Sequence, residues 1–146
     1  KQYRYAPRRA LWEVPAGRIH RGESARGAAR RECEEESGWR PRRLEGGKAY
    51  FPLAGISSHR AYTFVARDLV PSRTRHERTE SIEVHSFGAE EVRRMIRRGE
   101  IREGFSIVAL ARYFLREEAR RGPTSAAGSR RRARRGPRRA ARRAAP

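Results

Sequence analysis

Between Gly17 and Trp39 the chain reads GRIHRGESARGAARRECEEESGW, and no other stretch limits its folding as strongly. Ser24 is a good helix N-cap, Gly38 sits where a C′ glycine belongs, and Pro41 forbids continuation, so Ser24 to Ser37 is predicted helical. At about 100° per residue, Glu32 and Glu36 fall one turn apart with Glu35 beside them, and the three carboxylates share an arc of roughly 100°. Glu34 points to the other side. Carboxylates crowded in this way repel one another, and their hard oxygens suit Mg²⁺ or Mn²⁺. An acidic run on a helix is ordinarily just a solvated face, so the run by itself leaves both readings open.

The spacing around the run is more specific. Gly17, Glu23, Arg31, Glu32, Cys33, Glu35, Glu36, Gly38 and Trp39 stand in the register G-x5-E-x7-R-E-U-x-E-E-x-G-U, where U is a bulky apolar residue. This closely resembles the Nudix box, the signature of the Nudix hydrolases, and all seven strict positions agree. Cys33 and Trp39 replace the aliphatic residues usual at the U positions, a change of packing rather than of chemistry. The resemblance implies a helix–sheet–helix sandwich (α/β in the wider sense, α+β in detail) around a mixed sheet. It also implies metal-assisted hydrolysis of a pyrophosphate. By resemblance, Glu32, Glu35 and Glu36 hold Mg²⁺ (or Mn²⁺) together with a backbone carbonyl at Ala16. Arg31 then orients a box glutamate, and Glu23 ties the loop to the helix.

Along the rest of the chain, Gln2–Tyr5 and Ala10–Val14 alternate as strands, and Arg43–Phe51 and Arg60–Ala66 read as two more. Val70 to Thr79 is polar and proline-containing and reads as a mobile loop. Ser81–Phe87 alternates again as a strand. Ala89–Arg98 is a predicted helix with Val92, Met95 and Ile96 on one side. Ser106–Arg120 is another, with Ile107, Leu110, Ala111, Phe114 and Leu115 as its buried stripe. The opening at Lys1-Gln2-Tyr3, already strand-like and without Met, predicts a preceding segment.

Composition divides the chain. The net charge of +19 splits into +11 from Arg120 onward, where no acidic residue occurs, and +8 for the remainder. A Nudix domain is therefore expected over residues 1–118, followed by an Arg/Ala-rich tail over 119–146. The tail has little to bury and is expected to be disordered. A polycationic tail would touch nucleic acid nonspecifically. The single cysteine, Cys33, excludes an internal disulfide and fits a reducing, cytoplasmic setting. No apolar run approaches the length of a membrane span.

Within the family, QYRY, LWEVPAGRI, FVARDL and RRGEIREGFSIVAL are similar to the ADP-ribose pyrophosphatase branch. That likeness implies a small nucleoside diphosphate derivative as substrate and a homodimer as the working form. The branch commonly has a proline sixteen residues past the last box glycine, and here that position is Ala54. Acidic residues often following Ser57 are replaced by Ser58 and His59, which leaves other nucleotide sugars open. Glu80 is preferred over Glu77 as general base, Arg18 is positioned to meet a substrate phosphate, and Glu13 and Tyr5 are candidates for the nucleoside. The four histidines, His20, His59, His76 and His85, form no ligand set. Two other readings stay in view: a Nudix hydrolase acting on a nucleoside triphosphate or an RNA 5′ end, and a non-catalytic nucleotide-binding module.

Overall fold

In order, the chain forms β1 (Gln2–Arg4), β2 (Arg9–Leu11), α1 (Ala25–Ser37), β3 (Trp39–Tyr50), β4 (Ala61–Pro71), α2 (Ala89–Arg97) and α3 (Gly104–Arg121). The computed structural model describes residues 1–76 and 81–122. The expected tail beyond Gly122 and both Glu77 and Glu80 lie outside them.

β3 and β4 pair antiparallel along nearly their whole length, from Trp39 opposite Pro71 to Tyr50 opposite Ala61. The register shifts between Gly46 and Ala49, where Gly46 and Gly47 both take positive φ. A Cβ at Gly46 would stand 2.7 Å from the Thr63 carbonyl oxygen, so the bulge needs glycine there. Neighbouring residues of a strand face opposite sides, and this places the helices. Arg26 of α1 lies over the Phe64 ring at 5.7 Å and donates to the Leu44 carbonyl at 2.7 Å. Arg112 of α3 instead donates to Thr63 Oγ1 at 3.1 Å. The β3–β4 sheet is thus sandwiched between α1 and α3, as the sequence predicts.

Ala28 and Leu44 are buried at the α1 interface, and Phe114, Met95 and Ile101 on the side of α2 and α3. Arg93 of α2 bridges to α3, its guanidinium 4.0 Å from the Phe114 ring centre and 2.8 Å from Glu118. The buried line of α3 differs from the expected one. Ser106 and Phe114 are buried, whereas Ile107, Ala111 and Leu115 face outward, Leu115 with 66% of its surface exposed. The stripe is rotated because Ser106 is held inward, its hydroxyl accepting the Val14 N–H at 3.0 Å.

The expected strand Ser81–Phe87 reduces to one bridge, Gln2 to Ile82, flanked by Glu83 N–H to the Lys1 carbonyl at 2.9 Å. β1 offers too few residues to extend this ladder, and Trp12 holds the rest through edge contacts with His85 and Phe87, both at 5.1 Å. All strand pairings among the described residues are antiparallel, in two separate sheets, where a single mixed sheet is expected from the resemblance. No helix among the described residues is long and apolar enough to cross a membrane.

Candidate active site

α1 starts where Ser24 Oγ accepts the Gly27 N–H at 3.0 Å. It stops at Gly38, whose φ of 74° is left-handed and whose N–H returns to the Glu34 carbonyl at 3.0 Å. Arg31 is the hub between these ends. Its Nε and Nη2 donate to the two oxygens of Glu23, each at 3.0 Å. Its Nη1 donates to Glu32 Oε1 at 2.7 Å and to Glu35 Oε2 at 3.1 Å. Nη2 also reaches the Arg18 carbonyl at 2.9 Å. Glu23 completes the tie by accepting the His20 N–H at 3.0 Å. One planar fork therefore fastens the loop ahead of the helix to the helix itself, a task that needs the five donors of arginine.

The electrostatics follow from these bonds. The Arg31 guanidinium, helped by the His20 N–H, holds the Glu23 carboxyl down at a pKa of about 2. Arg31 is pushed upward in turn, chiefly by Glu23 against the cost of burial, with Glu32 and Glu35 adding to it.

The box glutamates meet the loop one by one. Glu32 lies against Gly17, and a Cβ at residue 17 would fall on its carboxylate, so any larger residue there would displace the Glu32 carboxylate. Glu36 Oε2 accepts the Ala16 N–H at 2.8 Å. The resemblance implies use of the Ala16 carbonyl; the contact seen is made by its amide. Glu35 stands between two cations, with Arg75 Nη2 3.6 Å from Oε1 on the side away from Arg31. Glu34, expected to be idle, accepts from Ser72 Oγ at 2.6 Å.

Ser72, Arg75 and His76 are the residues that sequence reasoning misses. Val70 and Pro71, expected in a mobile loop, still belong to β4. Residues 72–76 then lie across the C-terminal turn of α1. Ser72 N–H donates to the Gly38 carbonyl and Arg75 N–H to the Glu35 carbonyl, both at 2.8 Å, and His76 Nε2 is 3.0 Å from the Glu36 carbonyl. Helix C-termini leave carbonyls without intrahelical partners, and this segment supplies them. The run S-R-T-R-H offers donors, but nothing in its pattern says which carbonyls they meet.

Other expected residues fall elsewhere. Glu13 is bound by Arg4 through Nε at 2.9 Å and Nη2 at 2.6 Å, with only 7% of its side chain exposed. It nevertheless lines, with Glu36, Trp12, Cys33 and Phe87, a mainly apolar cavity of about 370 Å³. Arg18 contributes its carbonyl to Arg31 and is itself exposed. Tyr5 is 77% exposed and stacks edge-on against Tyr3.

A model of the NUDIX domain matches residues 1–123. The chain belongs to the NUDIX family. It is 27% identical to an ADP-ribose pyrophosphatase of Bacillus subtilis over 119 residues, covering 80% of this chain and 64% of that one. It is 36% identical to a CMP-5'-(N-acetyl-N-hydroxy-3-aminopropyl)phosphonate hydrolase of Streptomyces rubellomurinus over 103 residues, or 68% of this chain and 49% of that protein. A methanol dehydrogenase activator of Bacillus methanolicus is 32% identical over 69 residues, 47% of this chain and 37% of the relative. The chain thus spans between about a third and two thirds of the length of these curated relatives.

Nudix hydrolases generally use divalent metal ions, and the donor types here fit one: three carboxylates on one helical face, beside a glycine cradle. The carboxylates are not gathered into a ligand set, and no group of three acidic, cysteine or histidine side chains among the described residues is. Arg31 holds Glu32 and Glu35 on one nitrogen, with Arg75 on the far side of Glu35, whereas Glu36 is turned to the Ala16 amide.

Proposed function

We propose that this chain is a metal-dependent pyrophosphohydrolase acting on ADP-ribose or a related nucleoside diphosphate sugar. The products would be a nucleoside monophosphate and a sugar phosphate. The observation that supports this most is the Arg31 hub, which fixes Glu32, Glu35 and the Gly17 loop in one arrangement at the start of the acidic face. The relatives' names add a nucleotide portion in two cases, an ADP-ribose and a CMP conjugate.

In this reading Glu32, Glu35 and Glu36, with the Ala16 carbonyl, hold Mg²⁺ or Mn²⁺. The bound ion would neutralise the diphosphate and acidify water. Arg31 keeps Glu32 and Glu35 from swinging into solvent. Arg18, exposed beside the glycine cradle, meets the outer phosphate. The apolar cavity next to Glu36 offers Trp12 and Phe87 to the flat face of a base. Glu13, tied to Arg4, shapes that wall. Water attacks one phosphorus, the bridging P–O bond breaks, and the proton leaves through a base for which Glu80 is our choice. The working form would be a homodimer.

The test is a hydrolysis panel of ADP-ribose, other nucleotide sugars, NADH, 8-oxo-dGTP and capped RNA, with and without Mg²⁺. Metal-dependent preference for ADP-ribose, reduced at least about 100-fold in Glu36→Gln, is the expected result. Undiminished activity of that variant would remove the metal assignment.

A further inference from the structure

A second charged feature lies on the face of the β3–β4 sheet away from α1. There, a cavity of about 480 Å³ opens between the hairpin and α3, walled by Glu45, Gly46, Lys48, Thr63, Arg112 and Arg116 among others. Glu45 is its central acid, with only 10% of its side chain exposed. Four arginines converge on it: Arg43, Arg67 at 3.7 Å, Arg116 at 3.1 Å and Arg120 at 2.8 Å. Two further acids relieve the crowding, Asp68 on Arg43 and Glu117 on Arg67 and Arg120.

The charges do not balance. The four arginines plus Arg112 and Lys48 make six cations, against three carboxylates. Arg112 is fixed by the Lys48 carbonyl at 2.8 Å and Thr63 Oγ1 at 3.1 Å, and lies 4.8 Å from the Tyr50 ring centre. These contacts orient its guanidinium without neutralising it. The Lys48 ammonium has no ion-pair partner among the described residues. Arg116 spends its charge on a carboxylate already shared with three others. Guanidinium forks held in place beside an open cavity, with charge to spare, suit phosphate oxygens.

We propose that this cavity binds the phosphate groups of a small organic phosphate, separately from the acidic face of α1. Lys48 and Arg116 supply the direct contacts, and Arg112 is the fixed third donor. The site stands on the opposite side of the sheet, so it is independent of the hydrolase reading.

The experiment is calorimetric titration of the full chain with inorganic pyrophosphate at about 0.15 M salt. EDTA is present so that the acidic face takes no part. One saturable site is expected. In Lys48→Ala combined with Arg116→Ala its affinity should fall about tenfold or more, and Arg116→Lys should recover part of it. Arg130→Ala with Arg131→Ala, in the basic tail, should leave this binding unchanged. The Lys48 ammonium holds no ion pair among the described residues, so Lys48→Ala alone is the variant that spares the structure, and it should still weaken binding. Absence of saturation would overturn the proposal, as would a loss of affinity in the tail variant equal to that in the Lys48 and Arg116 variants.

Discussion

Arg31 holds three carboxylates with one guanidinium, and lysine has neither the reach nor the fork to do the same. Arg31→Lys keeps the charge and loses the two-point grip on Glu23. We expect turnover to fall by roughly 10- to 100-fold, the range for a partner that orients metal ligands, with weaker Mg²⁺ dependence in a metal titration. Glu23 yields a pH prediction. Its folded-state pKa of about 2 is below the ordinary carboxylate value of 4.5, so its ionised form is favoured in the fold. That contribution is fully present above pH about 4.5 and is lost as pH falls toward 2. The denaturation midpoints of wild type and Glu23→Gln should therefore differ by a constant amount at neutral pH and converge over that window. A gap that stays constant down to pH 2 would mean that Arg31 does not hold this carboxylate. At this scale the sequence was informative where spacing decides geometry, as for Arg31 and Glu35 one turn apart. It left Glu34 as an idle surface carboxylate, because its partner Ser72 lies far along the chain.

α1 is the element whose ends were most legible, since Ser24 and Gly38 announce them locally. Gly38→Ala tests the C-terminal end: at a φ of 74°, a Cβ meets Thr74 Cγ2 at 3.3 Å. The left-handed conformation alone costs about 1–2 kcal/mol. The change should also loosen residues 72–76, seen as faster amide exchange at Arg75. An unchanged melting temperature together with unchanged exchange would contradict this. Strand ends were harder. β3 begins at Trp39, before Pro41, because alternate N–H groups of a two-stranded sheet point away from the partner and a proline there forfeits no ladder bond. β4 runs on to Pro71 because its partner β3 continues to Trp39. Both facts depend on which strand pairs with which, information that local alternation does not contain. The same holds for α3, whose rotation is set by Ser106 meeting Val14 from 92 residues away.

At the scale of the whole molecule, charge separates two kinds of basicity. Ten of the 24 arginines among the described residues are engaged in ion pairs, on Glu23, Glu45, Glu91 and Glu117 among others. From Pro123 onward the sequence has nine arginines and no acidic residue to pair with them. On composition, with alanine and proline as its only apolar side chains, such a segment is expected to add affinity for polyanions rather than buried apolar area. We therefore expect removal of residues 123–146 to leave the melting temperature and the turnover of small nucleotide substrates unchanged. Binding to an arbitrary RNA should weaken, and the slope of log affinity against log salt should become shallower by about 0.7 for each single-strand phosphate that the tail neutralises. Melting curves, steady-state kinetics and a salt titration of RNA binding decide it together. A fall in turnover with small substrates after truncation would assign the tail to the reaction, and would place part of the site beyond the NUDIX domain of residues 1–123.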